Sequence, residues 1–158
     1  MDVWNLAGPL DYRTVTEDHE RGFAAGTWTI APPSTAPDHQ TVTVKDRAFT
    51  VTSAHDDEMV ATFDQLCSAA ISTVEYLHWA QTFPRWVITD IPSFGAVNAE
   101  AQQRFINLID VLVDADVPVR FSSTVDLPGF ISAASKRPDA FRMTSRLQLL
   151  QATTPSSY

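Results

Sequence analysis

Residues 86–90, WVITD, form an apolar and β-branched run that stops at a carboxylate, Asp90. At the C-terminal edge of a parallel sheet, such a carboxylate can hold Mg²⁺ beside a nucleotide. It can also fix a turn by accepting backbone N–H bonds, and Ile91-Pro92 marks such a turn. An isolated pattern this short more often serves the turn. Three arginines are the other candidates. Arg142 and Arg146 stand at i and i+4, so on a helix both guanidinium groups leave from one face. Arg104 lies early in the segment that follows DIPSF. Arginines of this kind make surface salt bridges of little energetic worth, or contact a phosphate or a partner, which their planar fork suits. Both readings stay open on these residues alone.

Phosphate chemistry also needs a cradle, a G-x-x-x-x-G-K-[ST] loop whose backbone amides and lysine hold the phosphates. Gly22 and Gly26 are too close together for it, and Thr27 follows without a lysine. Gly95 and Gly129 are isolated, Lys45 sits between two strand-like runs, and Lys136 follows a serine. The chain carries no Walker A motif. His19, His39, His55 and His78 are scattered without metal-ligand spacing. The run His55-Asp56-Asp57-Glu58 reads as a solvated acidic loop, so no metal site is expected. No serine lies in a G-x-S-x-G elbow, and Cys67 in FDQLCSAA reads as a structural thiol. No residue is expected to be catalytic.

The formal charge of −8 argues against bulk affinity for nucleic acid or anionic membrane. That charge is uneven. From Arg120 onward five basic residues face two acidic ones, while the residues before it hold six basic and seventeen acidic. A basic end on an acidic body suits a contact with something anionic. The single cysteine forbids an internal disulfide and fits a reducing, cytoplasmic home. No apolar run approaches the ~20 residues that span a bilayer, and the N-terminus lacks the pattern of a signal peptide.

Positioning these residues requires a frame. The length predicts one domain, 1–158, with the proline-bearing stretch 31–39 (APPSTAPDH) as an internal loop. Alternation in 41–44 and 47–52 predicts two strands joined by a tight Lys45-Asp46 turn. MVATF, 59–63, supplies a third, so the first part reads as a small antiparallel meander. Ser72 and Glu75 form a capping-box pattern opening a helix through about Gln81, which Pro84 ends. After the 86–90 strand, Asn98 can cap a helix. Its Phe105, Leu108, Ile109, Leu112 and Val113 share one face. Strand 117–122 completes a βαβ unit. Asp126 with Pro128 opens another helix, and Asp139 a last one ending near Gln151. The fold class is therefore mixed α/β: a meander, then a βαβ unit flanked by helices.

Several stretches together resemble the C-terminal part of the ZapE-like ATPases, the AAA-type P-loop family that includes the mitochondrial "ATPase family gene one" proteins. They are LAGPLDYR (6–13), VTVKDRAFTV (42–51), FDQLC (63–67), EYLHWAQTF (75–83), VITDIP (87–92), QRFINLIDVLVDADVPV (103–119) and FRMTSRLQLL (141–150). Three departures stand out: Gln103 where the family often has arginine, Val113 where it often has tyrosine, and QLL (148–150) after S-R-L. The resemblance implies that full-length relatives bind and hydrolyse ATP with Mg²⁺, in cell division or protein quality control. It also implies that their Walker A and B segments lie upstream of the region matched here. On that reading this chain begins where the nucleotide core ends, lacks ATPase activity alone and binds no cofactor itself. It packs on the upstream core, and Arg146 is a candidate to reach the γ-phosphate or a neighbouring subunit. A non-catalytic interaction module of the same fold, with a protein partner or self-association, is the alternative.

Overall fold

The structure, a computed structural model, describes residues 21–33, 39–44 and 46–153. The 6–13 motif, the middle of the 31–39 loop and Lys45 lie outside the described residues. Period-two alternation produces β2 (Gln40–Val44) and β3 (Arg47–Val51), with Val44 paired to Arg47 across the expected two-residue turn. Asp46 takes a φ of 70° there, a left-handed conformation that aspartate tolerates better than most residues.

This hairpin is a sheet of its own. The three-stranded meander expected from the sequence is divided, because β5 (Glu58–Thr62) joins the main sheet instead. It pairs antiparallel with β4 (Ser53–His55) and parallel with β6 (Arg85–Ile91). Met59, Ala61 and Thr62 on β5 are buried, and an inner strand needs a neighbour on each side.

Local caps set the helices. After α1 (Arg21–Ala24) and β1 (Thr27–Ile30), α2 (Phe63–Cys67) opens on a reciprocal cap. The Gln65 N–H donates to Thr62 Oγ1, and the Thr62 N–H donates to Gln65 Oε1, both at 2.9 Å. Helix α3 (Thr73–Thr82) starts where predicted, with Glu75 Oε1 accepting the Ser72 N–H and hydroxyl at 2.7 Å each. In α4 (Ala99–Asp114) the Ala101 N–H donates to Asn98 Oδ1 at 2.8 Å, and the five predicted apolar positions are all buried. Strand β7 (Val119–Ser123) follows. Asp126 Oδ1 accepts the Gly129 N–H at 2.8 Å to open α5 (Leu127–Ala134).

The last helix is shorter than predicted. Pro138–Ala140 is a 3-10 turn, α6 spans Phe141–Leu147, and Gln151–Thr153 becomes strand β8. A parallel neighbour, β1, was available to take the backbone bonds of that tail.

The main sheet runs β4-β5-β6-β7-β1-β8, parallel except for β4. Its strand, helix, strand steps from β5 to β6 to β7 confirm the βαβ reading. Buried aromatic rings join sheet to helices: Trp28 stacks on Phe121 with centroids 5.5 Å apart and meets Phe130 at 4.9 Å. Phe105 of α4 contacts Phe63, Phe121 and Phe130.

Candidate functional site

Strands β1 and β7 are parallel neighbours from opposite ends of the chain, with Thr29 beside Ser122 and Ile30 beside Ser123. Open α/β sheets place ligands outside the carboxyl ends of strands at such a switch point. The strand ends there are held by one buried hydroxyl. Ser123 Oγ donates to the Ile91 carbonyl at 2.7 Å and accepts the Val125 N–H at 3.1 Å. The Thr124 N–H also donates to the Ile91 carbonyl at 3.1 Å, and the Ala31 N–H donates to the Ser123 carbonyl at 2.8 Å. The ends of β6, β7 and β1 are therefore one hydrogen-bonded unit.

Asp90 lies beside that unit, on the same edge, but it does not end its strand. β6 continues to Ile91, and Asp90 has a φ of 56°. Ile88 pairs with Phe121 and Ile91 with Ser123, so β6 carries one residue more than β7 across this interval. That is a β-bulge, which re-aims a side chain and bends the strand. Asp90 Oδ2 accepts the Thr89 hydroxyl at 3.3 Å. Among the described residues, no group of three or more His, Cys, Asp and Glu side chains is arranged to hold a metal ion.

The three candidate arginines are not brought together at this edge. Arg104 Nη1 donates to the Cys67 carbonyl at 3.0 Å, capping an orphan acceptor at the end of α2. Arg142 and Arg146 converge instead on Asp110 of α4, at 3.9 and 3.3 Å. Arg146 is the anchored member, its side chain 18% exposed, while Arg142 is 66% exposed.

Arg137 was missed, and it makes more bonds than any of these. It pairs with Asp139 through Nε at 2.6 Å and Nη2 at 3.1 Å. It also donates to the Ala99 carbonyl at 3.0 Å, Gln102 Oε1 at 3.2 Å and Gln103 Oε1 at 2.6 Å. These bonds tie the turn before α6 to the start of α4. The Arg137 hydrogen bond holds the Asp139 carboxyl below its ordinary range. Gln103, the departure from the R-F motif, is thus a partner for a guanidinium rather than a second one.

Cys67 is buried, as expected of a structural thiol, and burial pushes it far above its ordinary pKa. The Tyr76 hydroxyl beside it is raised by burial too, and donates to the Leu66 carbonyl at 2.7 Å.

A mostly parallel sheet with crossover helices defines the class: an α/β fold of the P-loop NTPase type. The backbone is similar to the crystal structure of DnaI, with a TM-score of 0.50 and 12% identity, over 98% of this chain and 87% of that one. The family model of AFG1-like ATPases matches residues 1–155, and the chain belongs to that family. It is also 33% identical, over 90 residues, to the uncharacterized protein C115.02c of Schizosaccharomyces pombe. That match covers 56% of this chain and 20% of the relative, so the chain spans a minor part of that protein's length. No helix among the described residues is long and apolar enough to cross a membrane.

Proposed function

We propose that this chain is the C-terminal region of an AFG1-like, ZapE-like ATPase, completing an ATP-hydrolysing protein without hydrolysing ATP itself. The observation that carries the reading is the loop leaving β1 at the switch point. A phosphate held there needs a file of backbone N–H donors and a lysine. Residues 31–40, APPSTAPDHQ, contain three prolines and neither glycine nor lysine. Proline has no N–H to donate. The Asp90 carboxylate on β6 therefore has no phosphate-bound Mg²⁺ to complete, and its work is at the bulge. In the full-length protein, ATP and Mg²⁺ are held by the upstream core. The cellular setting is cytoplasmic, in division or protein quality control, as the sequence resemblance implies.

Within that whole, Arg142 is the arginine with reach for a phosphate or partner, and Arg146 positions it by holding α6 to Asp110. The test is turnover by a protein in which the upstream family core is joined to this chain. Arg142→Ala lowers kcat about tenfold or more if the guanidinium stabilises transferring charge. An unchanged kcat removes that role, and turnover by the 158-residue chain alone contradicts the whole reading.

A binding module is the second reading, favoured by one surface. Phe141 is 75% exposed on α6, near a cavity of about 380 Å³ lined by Leu127, Pro128, Ile131, Ser132 and Gln148. Under that reading, Phe141→Ser abolishes partner binding whether or not nucleotide is present.

A further inference from the structure

The main sheet has two unlike faces. On one, the in-register row Ala61, Ile88, Phe121 and Trp28 is buried under the helices. Phe23 of α1, Phe105 of α4 and Phe130 of α5 all reach this face through ring contacts with Phe121 or Trp28. On the other, the row Val60, Val87, Arg120 and Thr27 is half-buried or exposed throughout. Ser122, one step along β7, is half-buried as well. Val60 and Val87 belong neither to the buried core nor to the partly buried hydrophobic residues packed against it. Parallel sheets are otherwise found with both faces covered.

The geometry points to this second face as the seat of a further layer of the same polypeptide in the longer family proteins. We infer that the layer is helical, apolar at its centre over Val60 and Val87, with a carboxylate for Arg120. The inference rests on the reading of this chain as the C-terminal region of a longer protein. Three observations select the occupant. The relative matched here is much longer, this region being 20% of it. Arg120 is 72% exposed, its one described ion pair, to Glu58, is long at 3.8 Å, and so its charge remains to be met. Finally, five strands about 4.8 Å apart with about 16 Å of paired length offer about 400 Å² of face. A stable dimer of separate chains buries about 800 Å² per partner. A small face is adequate when a tether supplies the effective concentration. A second copy is therefore the wrong occupant.

The experiment is thiol labelling of Ser122→Cys, with Thr27→Cys as a second probe, in the 158-residue chain and in the protein joined to its upstream core. Ser68→Cys, exposed on the helical side, is the control, and buried Cys67 gives the unreactive background. Circular dichroism and the melting temperature check that each variant is folded. The expected result is rapid labelling at Ser122→Cys and Thr27→Cys in the short chain, slowed about tenfold or more in the joined protein, with Ser68→Cys unchanged. Equal labelling in both proteins overturns the inference. Slow labelling in the short chain also overturns it, because its own residues or a second copy then cover the face; sedimentation tells these two apart. ATP turnover is read in parallel. Turnover without protection defeats the docking face alone, and protection without turnover defeats the ATPase reading alone.

Discussion

Arg137 shows how much one side chain can hold when its donors are all spent. Its guanidinium bonds to Asp139, Gln102, Gln103 and a backbone carbonyl, linking α4 to the turn before α6. The side chain is 22% exposed, so these charge-assisted bonds are only partly screened. Arg137→Ala is expected to cost about 2 kcal/mol, read from urea unfolding; a loss below a few tenths would deny the residue this role. Nothing in the local sequence announces Arg137, because all but one of its partners come from a helix that starts before β7. Arg142 and Arg146 were legible as a same-face pair, since i, i+4 spacing is local. Their shared partner, Asp110, was not. Positive-φ residues are a further residue-scale feature: Asp56 and Asp57 form the two-residue β4–β5 turn at φ of 53° and 68°. Glycine suits the second position of such a turn better. Asp57→Gly is expected to stabilise by about 0.5 kcal/mol, relief of the left-handed conformation outweighing the added unfolded-state entropy. A lower melting temperature would contradict that.

Caps and apolar periodicity were readable from sequence wherever their partners lie within one turn. The Ser72–Glu75 box, the Asn98 and Asp126 caps and the buried face of α4 are of that kind. Thr62–Gln65 is the same signal and could have located α2. Glu75 turns its cap into a pH dependence. Its carboxyl is held below the ordinary 4.5, chiefly by the Ser72 hydroxyl, with the Ser72 amide and Arg47 also contributing against the opposing effect of burial. Its stabilisation is therefore fully present above about pH 4.5 and disappears as pH falls through the lower folded-state value. Glu75→Gln is expected to be less stable than the parent by about 1 kcal/mol at about pH 6, with the difference closing by about pH 3. A gap that stays constant over that range in thermal melts would exclude this origin. Strand partners were less legible than caps. TWTI of β1 is short, and both its neighbours come from the far end of the chain. Pairing of this sort is decided by burial of Trp28 against Phe121 and Phe130 rather than by local pattern. The tail beyond Leu147 read as helix for the same reason: its helical propensity was visible and its place beside β1 was not.

At the scale of the whole molecule, the family was visible in a series of short motifs, each weak alone, whose order along the chain carried the likeness. The split of the meander and the unequal faces of the sheet were not visible, because both depend on which strand lies beside which. The sheet that resulted has the topology on which nucleotide-binding sites are built, with a carboxylate at the carboxyl edge of β6. The loop after β1, rich in proline and without glycine or lysine, supplies no cradle there. A P-loop-type fold and a chain that does not hold nucleotide are compatible on that basis. Isothermal calorimetry of MgATP titrated into the 158-residue chain tests this most directly. The account predicts no saturable heat at millimolar nucleotide; saturable binding in the micromolar range would contradict it.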